Sequence, residues 1–432
     1  MADEMKYIVI SQKKTIAYNN DNTKCVIDNK NVENEELGGK TSKEFAEEKQ
    51  KEFYNFFFQK HYQNVVVLSA AGTSLDNDNG DDKSQRGKTR KDLWNACKTE
   101  IEAFVPKETD EEKDYITKGL VEGLDKKEFF SKYNYIEKKD GKDVQETYGD
   151  IEDLLSFLLL YAKTLDDHKE IDNKIKSFER TIAKNCDLIL QKDAPHKEFL
   201  NKITARKPSD SRVQLFTTNY DTLFEQAANN AGFTIVDGFS YTQPRVFSGR
   251  YFDYDFVNRE RSRLKNEESF VPKVFHLYKL HGSLTWEKDN NLIVQKREKP
   301  EDPLIIYPAS DKYESSYEQP YFEMMSRFQQ ALRKENVLLI VVGFGFKDKH
   351  IQSAIIEAVE QNPSFQLVIV DYNETGSINQ KNLKDFFYGD APETVKRNVT
   401  IIFDKFKDFT QKYPENETYK EELNALNNEN IR

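Results

Sequence analysis

Cysteine is scarce in this 432-residue chain: Cys25, Cys97 and Cys186 stand alone, and no two form a CxxC pair. That spacing supplies neither a zinc ribbon nor a disulfide framework, so no metal is expected and a reducing compartment fits. Long apolar runs are missing as well. None approaches the roughly 20 residues that span a bilayer, and the N-terminal residues lack the apolar centre of a signal peptide. A cytoplasmic protein with no direct membrane contact is the expectation. Positive charge is in deficit, with 64 Lys and Arg against 75 Asp and Glu, a net charge of -11. An acidic surface argues against general binding to a nucleic-acid backbone. The glycine pair Gly343 and Gly345 lacks the third glycine of the GxGxxG fingerprint used by hydride-transfer enzymes.

Aromatic residues, in contrast, are plentiful, with 30 Phe and 22 Tyr to build a core. The length allows one large α/β domain with an insertion, or two domains. Residues 1–42 alternate short apolar pieces such as Tyr7-Ile8-Val9-Ile10 with turn-like Asn and Asp, which predicts an N-terminal extension holding a hairpin. Residues 43–62 predict a helix with Phe45, Phe53, Phe56 and Phe57 facing the core. Val65-Val66-Val67-Leu68 is a short continuous apolar run, the pattern of a buried parallel strand. The polar segment Asp76 to Lys91 reads as a flexible loop. Residues 92–205 read as a mainly helical insertion, clearest where Ile151, Leu154, Leu155, Leu158, Ala162 and Leu165 share one face and Asp150 caps the start. Strands are then predicted at 212–217, 273–280, 303–307, 337–343, 366–370 and 398–403, with helices between several of them. Strand–helix alternation with apolar strands predicts a Rossmann-like, doubly wound, mainly parallel α/β sheet carrying a large helical insertion. The catalytic domain is expected over 43–405 and a charged tail over 406–432.

Chemistry is expected where apolar strands break into small or polar residues, because open α/β sheets hold ligands at the carboxyl ends of their strands. The segments are Ala71-Gly72-Thr73-Ser74, Thr217-Thr218-Asn219-Tyr220-Asp221, His281-Gly282-Ser283, Gly343-Phe344-Gly345-Phe346 and Asp371-Tyr372-Asn373. Singly, each has a plainer reading. Asn219 and Asp221 are good helix caps, His281-Gly282 reads as a turn, and Gly343 and Gly345 suit a tight turn. His61, His168, His196 and His276 carry no motif, and His350 reads as part of a helix start.

Taken in order, these segments resemble the sirtuin superfamily, in which a GAG-type loop, a TQN-D segment, an HG pair and a GTS-type turn build an NAD site. Here the counterparts are SAAGTS (69–74), TTNYD (217–221), LHGS (280–283) and VGFGFKDKHI (342–351). The pattern is closer to the bacterial sirtuin-like NAD hydrolases of antiphage defence than to protein deacylases. Further likeness lies in Ile305-Ile306-Tyr307-Pro308 and in Asp150-Ile151-Glu152 opening a leucine-rich helix. The resemblance covers roughly residues 60–405. Two departures stand out: Ala70-Ala71-Gly72 replaces GAG, and the zinc-ribbon cysteines of deacylases are absent.

The resemblance implies NAD as substrate and Asn219 and His281 as the catalytic pair, Asn219 holding a ribose hydroxyl or water and His281 acting as the base. It implies an NAD site of Ala71, Gly72, Thr73, Ser74, Thr218, Asp221, Gly343, Gly345 and Asp371. Within it Gly72, Thr73 and Ser74 line the pyrophosphate, Asp221 contacts the nicotinamide amide, and Asp371 or Asn373 touches the adenosine. It also implies a homo-oligomer gated by assembly or by a partner such as a HerA-like ATPase or a short Argonaute. The other readings are an NAD-dependent deacylase or ADP-ribosyltransferase, and a regulatory module that binds NAD or ADP-ribose without turnover.

Overall fold

The computed structural model describes residues 5–78, 83–97, 151, 155, 158–159, 162, 168–207, 210–258, 270–305, 319–372, 383–389 and 394–416. Most of the predicted insertion, including Asp150, Glu152, Leu154 and Leu165, lies outside them, as do Ile306 to Pro308, Asn373 and the end of the tail.

The frame is an 11-stranded sheet. Its parallel part begins with β5 (Asn64–Ser69), β6 (Gln214–Thr217), β7 (Thr234–Val236) and β9 (Val274–Lys279), and it continues with β12 (Val337–Val342), β13 (Phe365–Val370) and β14 (Val399–Ile402). The spatial order is β14-β13-β12-β5-β6-β9-β7, every neighbouring pair parallel. These strands are apolar almost throughout because both faces are covered. Successive residues alternate between two cores. Val66, Leu68, Leu339 and Val341 enter one, while Val65, Val67, Leu338 and Ile340 enter the other. The doubly wound α/β architecture read from the sequence is the one observed.

The predicted strand at 303–307 is reduced, among its described residues, to a single bridge between Ile305 and Gly282. At the other edge, β1 (Met5–Ser11), β2 (Thr15–Asn19), β3 (Cys25–Ile27) and β4 (Lys30–Asn31) extend the sheet antiparallel, β1 pairing with β14. A small second sheet holds β8 (Arg245–Val246), β10 (Trp286–Asp289) and β11 (Leu292–Gln295).

Helices cover both faces. Helix α1 (Ser42–Phe58) starts at a capping box formed by Thr41 and Glu44. It buries Ala46, Gln50, Tyr54, Phe57 and Phe58. Phe56 does not face the core as expected: it is 70% exposed, because the buried stripe follows 46, 50, 54 and 57–58 and position 56 falls outside it. Its ring is capped instead by the Lys60 ammonium at 4.4 Å. Helices α2 (Ala71–Leu75) and α3 (Arg90–Ala96) follow β5. Within the span predicted as an insertion, α4 (Lys169–Cys186) packs Ile171, Ile175, Phe178 and Ile182 against Ile151, Leu155, Leu158, Ala162, Leu93 and Trp94. Helices α5 (His196–Ile203), α6 (Leu223–Ala231), α7 (Tyr321–Leu332), α8 (Lys349–Gln361) and α9 (Phe406–Lys412) complete the layers. The α8 face predicted from the sequence is buried as expected, through Ile351, Ala354, Ile355, Ala358 and Val359. Among the described residues no helix is long and apolar enough to cross a membrane.

Candidate functional site

The parallel strands end in one row. The register aligns Ile402 with Val370, Val370 with Val342, Val342 with Ser69, Ser69 with Thr217 and Thr217 with Lys279. The chain proceeds outward in opposite directions from β5 and β12, so the sheet has its topological switch point between them. Loops leaving the two strands diverge there and open a crevice. A cavity of about 720 Å³ occupies this end of the sheet, within the size range of small-molecule sites. Its lining includes Ala71, Gly72, Ser74, Thr218, Asn219, Asp221, His281, Gly343, Gly345 and Asp371. The residues singled out from the sequence therefore converge on one space, with Thr73 just behind its wall: Thr73 is 1% exposed and donates its hydroxyl to the Ala70 carbonyl.

At the switch point itself, Gly72 and Gly343 touch. Gly72 N–H donates to the Gly343 carbonyl at 3.1 Å, and a Cβ on Gly72 would stand 2.4 Å from the Gly343 Cα. Gly343 also has φ +65°. The glycines thus serve first to let two strand ends approach each other. Gly345 differs, since a Cβ there would meet nothing within 4 Å.

Asn219 is oriented by its amide nitrogen, which donates to the Ala70 carbonyl at 3.0 Å and reaches Thr73 Oγ1 at 3.2 Å and Ser74 Oγ at 2.9 Å. A carbonyl only accepts, so the nitrogen must face the 70–74 loop and Oδ1 is the atom left for a ligand. Ser74 in turn donates to Asp221 Oδ2 at 2.6 Å, and Asp221 Oδ1 accepts from Leu223 N–H at 3.1 Å. The same carboxylate therefore holds the first N–H of α6, whose N-cap position is Thr222 and not Asp221, and joins the hydroxyl network while lining the cavity. Beneath this turn, the buried Lys279 donates to the Asp221 carbonyl and pairs with Glu225 at 3.0 Å. Burial pushes the Glu225 carboxyl up, and the Lys279 charge and hydrogen bond offset part of that rise.

His281 lines the cavity with Nε2 3.0 Å from Asp348 Oδ2. Asp348 was not singled out in the sequence as a site residue. Its signal was there, an aspartate between the glycine turn and an apolar helical stripe, inside the 342–351 segment that carries part of the resemblance, but no role was read for it. The described residues of the segment read as a flexible loop, 76–78 and 83–91, also contribute to the site. Arg86, Lys88, Arg90 and Lys91 line the cavity, and Gly87 packs on Ser74, donating to its carbonyl at 2.8 Å. The segment is held by the buried Asn77, which donates to the carbonyls of Gln85 (2.7 Å) and Ile189 (3.0 Å) and accepts from Gln191 N–H (2.8 Å). Sequence polarity could not reveal a loop ordered by such distant backbone partners.

Toward β13 and β14 the lining is Asp371, Tyr372, Asp404, Lys405 and Asp76. Burial pushes the Asp371 carboxyl up to about 6. Asp404 is bound by Tyr54 (2.6 Å), Gln50 (3.2 Å) and Lys412 (2.6 Å), which ties α1 and α9 to this end of the cavity. Donors and acceptors suit a dinucleotide: cations for a pyrophosphate, glycine backbone for close approach, and carboxylates for hydroxyl and amide groups. Among the described residues no group of three His, Cys, Asp or Glu is placed to hold a metal ion.

Residues 213–388 match the family model described as SIR2-like domain. The matched region runs from the start of β6 to Tyr388 and contains Asn219, Asp221, His281, Gly343, Gly345, Asp348 and Asp371, but not the 70–74 loop. This likeness supports a sirtuin-like relationship and an NAD-related activity. No curated protein matches the chain.

Proposed function

We propose that this protein hydrolyses NAD at the nicotinamide–ribose bond, releasing nicotinamide and ADP-ribose. The observation that carries this reading is the single cavity at the switch point, lined together by Gly72, Asn219, Asp221, His281 and Gly343. It is supported by the SIR2-like match over the segment that holds most of these residues.

Breaking that bond leaves positive charge on the ribose, so the protein must hold the ribose, tolerate the charge and position water. Asn219 Oδ1 accepts a hydrogen bond from a ribose hydroxyl or from the attacking water. His281 takes the proton released there. Asp221 keeps lone pairs free beyond its two bonds and accepts from the nicotinamide amide. Ala71, Gly72, Ser74 and Thr218 form the pyrophosphate wall, backed by the buried Thr73, with the cations at 86–91 facing it. Gly343 and Gly345 run beside the adenosine-side ribose, and Asp371 binds that ribose. Water is the acceptor in this reading because the paired cysteines of a deacylase zinc ribbon are missing from the sequence. An unrestrained NAD hydrolase would kill its host. The activity is accordingly assigned to antiphage defence, gated by homo-oligomer assembly or by a HerA-like ATPase or short Argonaute partner, as the sequence resemblance implies.

The test is purified protein incubated with NAD, products separated chromatographically, alongside Asn219→Ala and His281→Ala. Nicotinamide and ADP-ribose are expected, with kcat lowered about 10²-fold or more in each variant. Undiminished hydrolysis in both variants refutes the mechanism. NAD-dependent loss of acyl groups from a peptide, or ADP-ribose attached to protein, would assign the chain to group transfer instead. Tight NAD binding without product in the presence of every partner would make it a sensor.

A further inference from the structure

Asp348 makes two different sets of contacts. Oδ1 accepts from the N–H groups of His350 at 3.0 Å and Ile351 at 3.1 Å, which caps α8. Oδ2 is 3.0 Å from Nε2 of His281, a residue 67 positions away at the end of a different strand. Both side chains are about nine-tenths buried, 10% exposed for His281 and 11% for Asp348. A helix cap needs only one acceptor oxygen, and Asn or Ser would serve it equally well. The contact to His281 is therefore not explained by the helix.

The charge state of the pair follows from its surroundings. Burial raises the Asp348 carboxyl. The hydrogen bond and charge of His281, together with the two backbone N–H groups, outweigh burial and hold it below the usual carboxylate range. Asp348 is thus an anion that can only accept, so Nε2 of His281 must carry a proton and donate it. That leaves Nδ1 with its lone pair.

We propose that Asp348 is the positioning residue of this site, its carboxylate fixing His281 in the tautomer whose Nδ1 accepts the substrate proton and stabilising the imidazolium that results. Its catalytic consequence rests on the NAD-hydrolase reading, whereas its effect on the ring does not. The informative variant is Asp348→Asn in the full chain. Asparagine keeps the cap, because the backbone N–H groups of His350 and Ile351 require its oxygen. Its NH₂ must then face His281, and a donor there forces Nε2 to become the acceptor and moves the ring proton to Nδ1. The base is removed with no change in shape.

Two measurements read this out. Steady-state kinetics should show kcat about 10²-fold lower with KM within about threefold, the signature of an interaction made mainly in the transition state. Nitrogen-15 NMR of histidine-labelled protein, with the His281 signal assigned through His281→Ala, should show the ring change from Nε2–H to Nδ1–H while the melting temperature stays unchanged. A purely structural cap would move neither. Wild-type kcat with an unchanged ring signal in Asp348→Asn overturns the proposal. If wild-type protein turns over no NAD, the ring signal still decides: a switched tautomer upholds the positioning role and refutes only the hydrolase reading, and an unswitched one refutes the positioning role itself.

Discussion

Replacing Gly72 with alanine should damage the protein through a backbone collision and not through lost ligand contact. The added Cβ would stand 2.4 Å from the Gly343 Cα and 3.1 Å from its carbonyl oxygen. Ordinary carbon–carbon contact lies near 3.5–4.0 Å, so the two strand ends must part by about 1 Å. No side chain is available to yield, because both partners are glycine backbone. Overpacking of this kind costs about 1–3 kcal/mol. The Gly72 N–H to Gly343 carbonyl bond, 3.1 Å long, would stretch and forfeit about 0.5–1.5 kcal/mol more. The expected loss is about 2–4 kcal/mol, read as a lower urea midpoint at constant m-value. Shifting the 70–74 loop by about 1 Å relative to Asn219 should also lower kcat about 10²-fold. Gly345→Ala is the control: its Cβ would enter open space, so stability should change by less than about 0.5 kcal/mol. A Gly72→Ala protein with the wild-type midpoint would show that the two strand ends are not in contact, and the switch-point geometry would fall with it.

Further expectations concern buried charge. Lys279→Met should cost about 3–5 kcal/mol, because it strands the Glu225 carboxylate, and the double replacement Lys279→Met with Glu225→Met should recover at least half of that in urea unfolding. Burial pushes the Asp371 carboxyl up from an ordinary 3.8 to about 6. The folded state therefore binds more protons between those values, and this carboxyl lowers stability as pH rises through about 6. Asp371→Asn should raise the unfolding free energy at pH 8 by up to about 3 kcal/mol, with almost no gain at pH 3.5, and should ease the entry of a 2′-phosphorylated dinucleotide measured by competition. His196 has both ring nitrogens buried, without a hydrogen-bond partner among the described residues, between Phe224 and Phe406, and burial lowers its pKa to about 3. Here the unfolded state binds the extra proton, so stability is full above pH 6.5 and declines as pH falls toward 3. His196→Phe should flatten the melting curve's pH dependence across that window.

The periodic parts of this protein were legible without coordinates. Val65–Leu68, Leu367–Val370 and the Ile351, Ala354, Ile355, Ala358 stripe announced strands and a helix, because a strand covered on both faces is apolar throughout and a 3.6-residue repeat sorts apolar side chains to one helix face. The break of each strand into small or polar residues located the candidate segments, and the missing cysteine pairs argued against deacylation. Tertiary structure decided the rest. It aligned Ser69, Thr217, Lys279, Val342 and Val370 in one register, so that five separate segments open on a single cavity. It set Gly72 against Gly343, folded the polar 83–91 segment over the space, and turned Phe56 to solvent. It also gave a helix cap, Asp348, a second bond to His281. The physical reason is range: periodicity and capping are imposed by neighbours a turn or less away, whereas register, close approach and paired side chains depend on which distant segments the packed core brings together.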